Sequence, residues 1–258
     1  MRTQDPIGYN VRAVERALQI LSCFDDQHPE RGVSEIAQVV GLHKATTHRI
    51  VTTLLNLGYL ERAADGFKYR LGLRLADLGF KVIRRMDLRR EALPYMTQLA
   101  RRWDEACDLC VFDRGDVFYI EVIQANHALT IAAAVGQRLP AHCTASGKLF
   151  LAYLPPHELD AILSRPLVAY TDKTIISPAE LRTHLEAIRR QGYGLDDQEY
   201  EVGIRAVSAP IRNQEGAVIA AMSMASPTSR MTPDRIPEIA GALRQAAEAV
   251  SRRMGWKT

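Results

Sequence analysis

Hydrophobic positions in the first seventy or so residues recur at helical spacing in three short blocks. VRAVERALQILSCF places Val11, Val14, Leu18 and Leu21 three or four residues apart, which predicts a helix. DDQHPERG breaks that pattern with Pro29 and Gly32. SEIAQVV predicts a short second helix. Ser34 is its expected N-cap, because a serine hydroxyl accepts from free first-turn amides, and Gly41 is its expected left-handed end. HKATTHRIVTTLLNLG predicts a third helix, from near Lys44 to Gly58. The period then changes: in YLERAADGFKYRLG two short strand-like stretches flank Asp65-Gly66, a hairpin signal. Three helices followed by a hairpin is the order of a winged helix-turn-helix. LRLADLGFKVIRRMDL continues as an amphipathic helix with a Leu75, Leu78, Val82 stripe, read as a linker.

The second half mixes periods. LRREALPYMTQLARRWDEA reads as helix, and CDLCVFDRGDVFYIEVIQ as two strands around Arg114-Gly115. TASGKLFLAYLPPHELDAIL predicts two short helices split at Pro155-Pro156, since proline suits a first helical position. SPAELRTHLEAIRRQGYG predicts a helix capped by Ser177 and ended by Gly192. AVSAPIRNQEGAVIAAMSMASP predicts two strands around Glu215-Gly216, and a long helix is expected from about Thr232. Helices mixed with antiparallel hairpins predict an α+β fold.

The third helix has two chemically different faces. At about 100° per residue, Thr47, Ile50, Leu54 and Leu57 share one side, with Val51 and Leu55 beside it. Ala45, His48, Arg49, Thr52 and Asn56 share the other. The leucines suit packing onto the helix's own domain. The polar face and first turn suit major-groove readout: Arg bonds guanine bidentately, and Thr bonds bases or touches the thymine methyl. Lys44 and the first-turn amides suit phosphate, as do Arg62, Lys68 and Arg70 on the hairpin. The expected DNA-contacting set is Ser34, His43, Lys44, Ala45, Thr46, Thr47, His48, Arg49, Thr52, Arg62, Lys68 and Arg70. A solvated face on an ordinary amphipathic helix is the competing reading; the neighbouring short helix and hairpin weigh against it.

Composition narrows the classes modestly. Of 258 residues, 47% are apolar and 24% charged, an ordinary globular balance with room for two domains. The net charge of +3 is compatible with nucleic acid without requiring it. No apolar run approaches the roughly 20 residues of a membrane span. MRTQDPIGYN lacks a signal-peptide core, so the expected location is cytoplasmic. The four cysteines do not form a disulfide framework. Cys107 and Cys110 form a lone CxxC, to which Cys143 with His142 or His127 would have to add metal ligands. The simpler reading is a pair of buried thiols crossing from helix to strand, and no metal or cofactor is expected.

Several stretches together resemble the IclR family of bacterial transcriptional regulators. AVERALQIL, VSEIAQVVGLHKATTHRIVTTLLNLGYLER and YRLGLRL are similar to its DNA-binding domain. LPAHCTASGKLFLAYLP, YTDKTI, GYGLDDQEYEVGIRAVSAPI and AAMSMASP are similar to its effector-binding domain. The resemblance covers nearly the whole chain. It implies a winged helix-turn-helix over residues 1–73, a linker helix over 74–90 and a GAF-like effector-binding domain over 91–258. It also implies homodimers or tetramers on double-stranded operator DNA, with binding, expected to be repressive, controlled by a small organic or aromatic acid. Three positions depart from the family pattern: His43 stands where many members have proline, Ala206 where cysteine is frequent, and Ala225 where a second serine often follows Ser223.

By this resemblance the effector pocket is expected at Leu139, Thr144, Ala145, Ser146, Asp196, Ala206, Met222, Ser223 and Ala225. Free amides at the helix start near Thr144 to Ser146 suit a carboxylate, and Leu139, Met222 and Met224 are expected as an apolar wall. Ala206 and Ala225 leave fewer hydrogen-bonding groups and more apolar surface, and Asp196 opposes an anion unless a hydroxyl lies between, so the expected ligand is a hydroxyl-bearing acid, aromatic or otherwise bulky rather than a two-carbon acid. No enzyme is expected. A phosphate loop at Gly147-Lys148 fails because His142 replaces its first glycine and Leu149 its Ser/Thr. Ser146-Gly147 lacks the GxSxG frame, His157-Glu158 lacks a second histidine, and Asp196, Asp197 and Glu199 are read as turn or pocket acids.

Overall fold

The computed structural model describes residues 11–84, 87–124 and 133–257. It divides into two compact units, Met1–Arg85 and Met86–Thr258. In the first, α1 (Arg12–Leu21), α2 (Val33–Val39) and α3 (Lys44–Asn56) surround a core of Ile20, Phe24, Ile36, Val51, Leu54, Leu60 and Tyr69. A strand β1 (Arg31–Gly32), not foreseen from the pattern, pairs with β3 (Lys68–Leu71), which also pairs with β2 (Leu60–Arg62) across the Asp65-Gly66 turn. α4 (Leu73–Arg84) ends this unit.

Two details differ from expectation. Ser34 does not cap α2. The helix begins two residues earlier than that cap would set, at Val33, and its N-cap is Gly32, whose amide donates to Glu35 Oε2 at 2.7 Å. The Glu35 carboxylate reaches the end of the helix first and leaves Ser34 exposed. On α1 the Val11, Val14, Leu18 stripe is exposed in the single chain; Ile20 is the residue the core takes. Of the α4 stripe, Leu75 is partly buried and Leu78 exposed, while the Val82 side chain lies outside the described residues.

The second unit is an α+β, GAF-like sandwich. Its six-stranded antiparallel sheet runs β6 (Arg138–Pro140), β5 (Asp116–Ile123), β4 (Ala106–Asp113), β9 (Val218–Pro227), β8 (Ile204–Arg212), β7 (Gly194–Asp197). Strand alternation sends Cys107, Leu109, Val207, Ala209, Met222 and Met224 to one face, packed against α5 (Asp87–Trp103) and α9 (Ile236–Arg253). The opposite face carries α6 (Ala145–Tyr153), α7 (Pro156–Leu163) and α8 (Pro178–Gln191) over Cys110, Tyr119 and Ala221. The long last helix starts four residues beyond the expected Thr232, at Ile236.

Helix α6 sits very close to its surroundings. A Cβ at Gly147 would overlap the Cα and carbonyl oxygen of Ala141, and one at Gly194 would overlap the Ala145 carbonyl. Gly194 lets the start of α6 lie directly on the β7 edge of the sheet, and Gly147 lets α6 close on the backbone of the short turn at Ala141. Because backbone is the obstacle, Gly147→Ala should destabilise this unit by about 1–3 kcal/mol, read as a lower urea midpoint. An unchanged midpoint would show that α6 has slack.

Candidate DNA-binding face and effector pocket

α3 is held by Thr47, Val51 and Leu54, which are buried, with Ile50 and Leu55 half-buried beside them. The opposite side, Ala45, His48, Arg49 and Asn56, is exposed, and Thr46 and Thr52 are partly so. Thr47 leaves the expected contact set. It is fully buried and its hydroxyl donates to the His43 carbonyl at 3.2 Å. His43 has φ −63°, the value a proline would impose, so its substitution leaves the helix start at Lys44 unchanged. No side chain caps α3, so its first-turn amides lack a side-chain acceptor. Arg12 and Arg16 of α1, absent from the sequence reading, border the same concavity as Thr46, His48, Arg49 and Thr52. Their spacing of four on an exposed helix was the available signal.

The wing residues do not share one face. Arg62 pairs in register with Tyr69, lies over its ring and donates to the Gly66 carbonyl at 2.7 Å. Lys68 and Arg70 alternate to the other side of Tyr69, with Arg70 3.4 Å from Glu61 in an exposed pair. Such a pair is weak and leaves Arg70 available.

In the second unit a cavity of about 120 Å³ lies under the start of α6. Leu139, Thr144, Ala145, Ser146, Asp196, Ala206, Ser223 and Ala225, all positions the family resemblance implied, border it. Met222 and Met224 do not. They alternate with Ser223 along β9 and are buried on the opposite sheet face, so the expected apolar wall lies in a different core. Asp108, Tyr119, Gln137 and Tyr200 border the cavity and were missed. Asp108 lies inside the CxxC, next to Cys107, with no local spacing that marks it as a pocket residue. Those cysteines point to opposite faces: Cys107 joins the α5/α9 core and Cys110 the α6 side, so the pair does not converge on one ion. Burial pushes the Cys110 thiol up to about 12, which keeps it protonated. His127 lies outside the described residues.

Thr144 caps α6 by accepting from Gly147 N at 3.2 Å, while its own proton goes to the Pro140 carbonyl at 2.9 Å. The cavity is electrostatically unusual because two of the acids on its wall, Asp108 and Asp196, are buried, while the third, Glu201, is exposed. Burial raises Asp108 to about 7, opposed by the Ser223 hydroxyl beside it. Burial also raises Asp196 to about 7, opposed by the Glu199 amide, which donates at 2.7 Å, and by the Lys148 charge. Lys148 of α6 is fully buried, ion-paired with Glu199 and 3.2 Å from His184 Nε2. Burial and then the Lys148 charge lower His184 to about 4, so it is neutral and accepts from the ammonium.

A winged helix-turn-helix with a free polar helix face, joined in one chain to a GAF-like unit enclosing a small polar cavity, defines an effector-controlled transcription factor. The chain belongs to the IclR family of bacterial transcriptional regulators. Residues 13–64 match the IclR helix-turn-helix domain, and residues 80–252 match the bacterial transcriptional regulator IclR C-terminal domain. The chain is 37% identical over 247 residues to the HTH-type transcriptional regulator XynR of Escherichia coli K12, covering 95% of this chain and 98% of that one. The IclR transcriptional regulator from Alicyclobacillus acidocaldarius superposes with a TM-score of 0.84 at 28% identity, covering 96% of this chain and 100% of that one. An IclR homolog from Microbacterium hydrocarbonoxydans, complexed with 4-hydroxybenzoate, gives 0.81 at 31% identity, covering 94% and 98% respectively.

Asp108 titrates higher in the folded unit than in an unfolded chain, so the folded state binds more protons between about pH 4 and 7. Its contribution to stability is complete below pH 4 and is lost as pH rises through about 7. Asp108→Asn should therefore stabilise the unit relative to the parent by an amount that grows across that range. Urea melts at pH 5 and pH 8 test this, and an equal difference at both would refute it.

Proposed function

We propose that residues 1–73 bind operator DNA, residues 74–90 link, and residues 91–258 bind a small hydroxylated carboxylic acid that shifts the protein between states of different operator affinity. The protein acts as a repressor, as several relatives carry that name, the transcriptional repressor IclR of Escherichia coli K12 among them. The observation that carries the DNA reading is the exposed, uncapped α3 start with Arg49 beside it, while Thr47, Val51 and Leu54 anchor the far side. Lys44, Thr46, His48, Arg49 and Thr52 face the groove; Lys68 and Arg70 lie along phosphates. One winged module reads few base pairs, so a homodimer reads a palindrome. The exposed Val11, Val14 and Leu18 of α1 and Leu78 of α4 supply apolar surface for pairing.

The effector reading rests on the cavity. Its size, well below the roughly 300 Å³ where drug-sized pockets begin, suits a small metabolite. The α6 start favours a carboxylate through its dipole. Asp196 then calls for a hydroxyl, and the hydroxybenzoate held by the Microbacterium relative has both groups. The ligand must prefer one state, since equal affinity for both shifts nothing.

Two measurements test these assignments. Arg49→Ala should cost about 1–3 kcal/mol on the selected operator alone. Lys68→Ala should weaken every duplex alike and reduce the salt slope by about one. Filter binding across salt and sequence reads both, and full operator affinity in Arg49→Ala would refute the helix orientation. Calorimetry with a panel of hydroxylated and unhydroxylated acids should give binding by a hydroxylated member that Ser146→Trp abolishes. Unchanged binding in that variant would refute the location.

A further inference from the structure

A separate cleft in the second unit, of about 370 Å³, is larger than the cavity under the start of α6 and falls within the roughly 300–1,000 Å³ of metabolite pockets. It lies at the other end of that helix. Tyr153 ends α6 and borders the cleft, together with Arg212 of β8, Arg244 and Gln245 of α9, and Trp256. The nine residues of α6 put its two ends about 13 Å apart. The β8 edge here is closed to a peptide strand. β7 pairs only as far as Ser208, Pro210 has no amide, and the Arg212 amide donates to Ser251 Oγ at 2.9 Å.

Side-chain chemistry is what the cleft offers. Arg212 lies 4.6 Å over the Tyr153 ring and donates through Nη1 to the Gly216 carbonyl at 2.8 Å, so its plane is fixed while other N–H groups remain. Arg244 lies against Gly192 and makes no hydrogen bond or ion pair among the described residues. Glu248, the acid on the wall, is ion-paired with Arg252. The carbonyl ends of α6 and α8 oppose an anion, but the Ala152 and Ile188 carbonyls already accept from Arg189 and from the Gly192 amide. The cleft is therefore positive, with an indole on its wall.

We propose that this cleft is a second small-molecule site and that it takes a nucleoside 5′-monophosphate. A phosphate monoester carries about −1.5 to −2 charge at neutral pH and three acceptor oxygens, enough for both guanidiniums. A single carboxylate is satisfied by one arginine in bidentate fashion and leaves the other unused. A planar base stacks on the Trp256 ring, and the Gln245 amide offers a donor and an acceptor to base or ribose. The site is independent of the acid cavity.

The test is calorimetry and tryptophan fluorescence on the full-length protein with adenosine, guanosine, cytidine and uridine 5′-monophosphates, and with adenosine and inorganic phosphate as comparators. At least one nucleotide should bind and quench the indole emission, tenfold or more tighter than either comparator. Arg244→Met should weaken it at least tenfold without lowering the urea midpoint, because no contact within the chain is lost; Arg244→Gln should do the same. A residue that only complemented the end of α8 would lower the midpoint and leave nucleotide binding unchanged. Trp256→Phe should abolish the quench while calorimetric binding persists, since the other tryptophan, Trp103, lies between Arg102 and Arg235. A folded Ser146→Trp protein should bind the nucleotide like the parent, and loss there would put the ligand in the acid cavity and overturn the proposal. Nucleotide binding unchanged in Arg244→Met, a quench that survives Trp256→Phe, phosphate binding as tightly as the nucleotide, or binding of no nucleotide overturns it equally.

Discussion

The pairing of β4 with β9 brings residues 106–110 against 221–225, more than a hundred residues away in the chain, and the second unit depends on that register. Because side chains alternate, one register assigns every residue of both strands to a face at once. Cys107, Leu109, Met222 and Met224 enter the dry layer under α5 and α9. Asp108, Ser223 and Ala225 turn toward the cavity. A slip of one residue would exchange the methionines with the serine and place the acid in the core. The apolar layer thus selects the register, and the polar wall of the cavity follows from it.

The same economy governs α3. Burying Thr47, Val51 and Leu54 fixes the helix by one side and one end. Thr47 keeps its hydroxyl satisfied inside by returning it to the His43 carbonyl, which lets a polar residue sit in the packed stripe. With the anchoring done there, Arg49, His48 and the first-turn amides have no structural work. Their availability is what the proposed operator contact uses.

The cavity is surrounded by charge that the fold has already arranged. Lys148 is fully buried yet satisfied by Glu199 and by neutral His184. Losing either charged partner would leave an uncompensated buried ion, a loss of several kcal/mol. Glu199 also donates its amide to Asp196, so the ion pair behind α6 and the acid in the cavity share one short segment. A ligand that changes the charge on Asp196 acts on a segment tied to α6 and α8 at the same time.

Elements with a strong period were legible in the chain. α3, the wing at Asp65-Gly66, the Pro155-Pro156 split and the Ser177 to Gly192 helix follow from local spacing, capping and glycine conformations. Short strands were not: β1, β6 and β7 have two to four residues, too few to show alternation, and exist through their partners. At α2 the local capping pattern pointed to Ser34, whereas in the folded chain the Glu35 carboxylate takes the Gly32 amide. At the cavity, the segment around Thr144 to Ser146, Asp196 and Ser223 were expected from the family resemblance rather than from local pattern, and all border it. Tertiary structure alone decided that Met222 and Met224 lie elsewhere and that Asp108, between two cysteines, faces inward, because a strand's faces are assigned only when its partner fixes which side is dry.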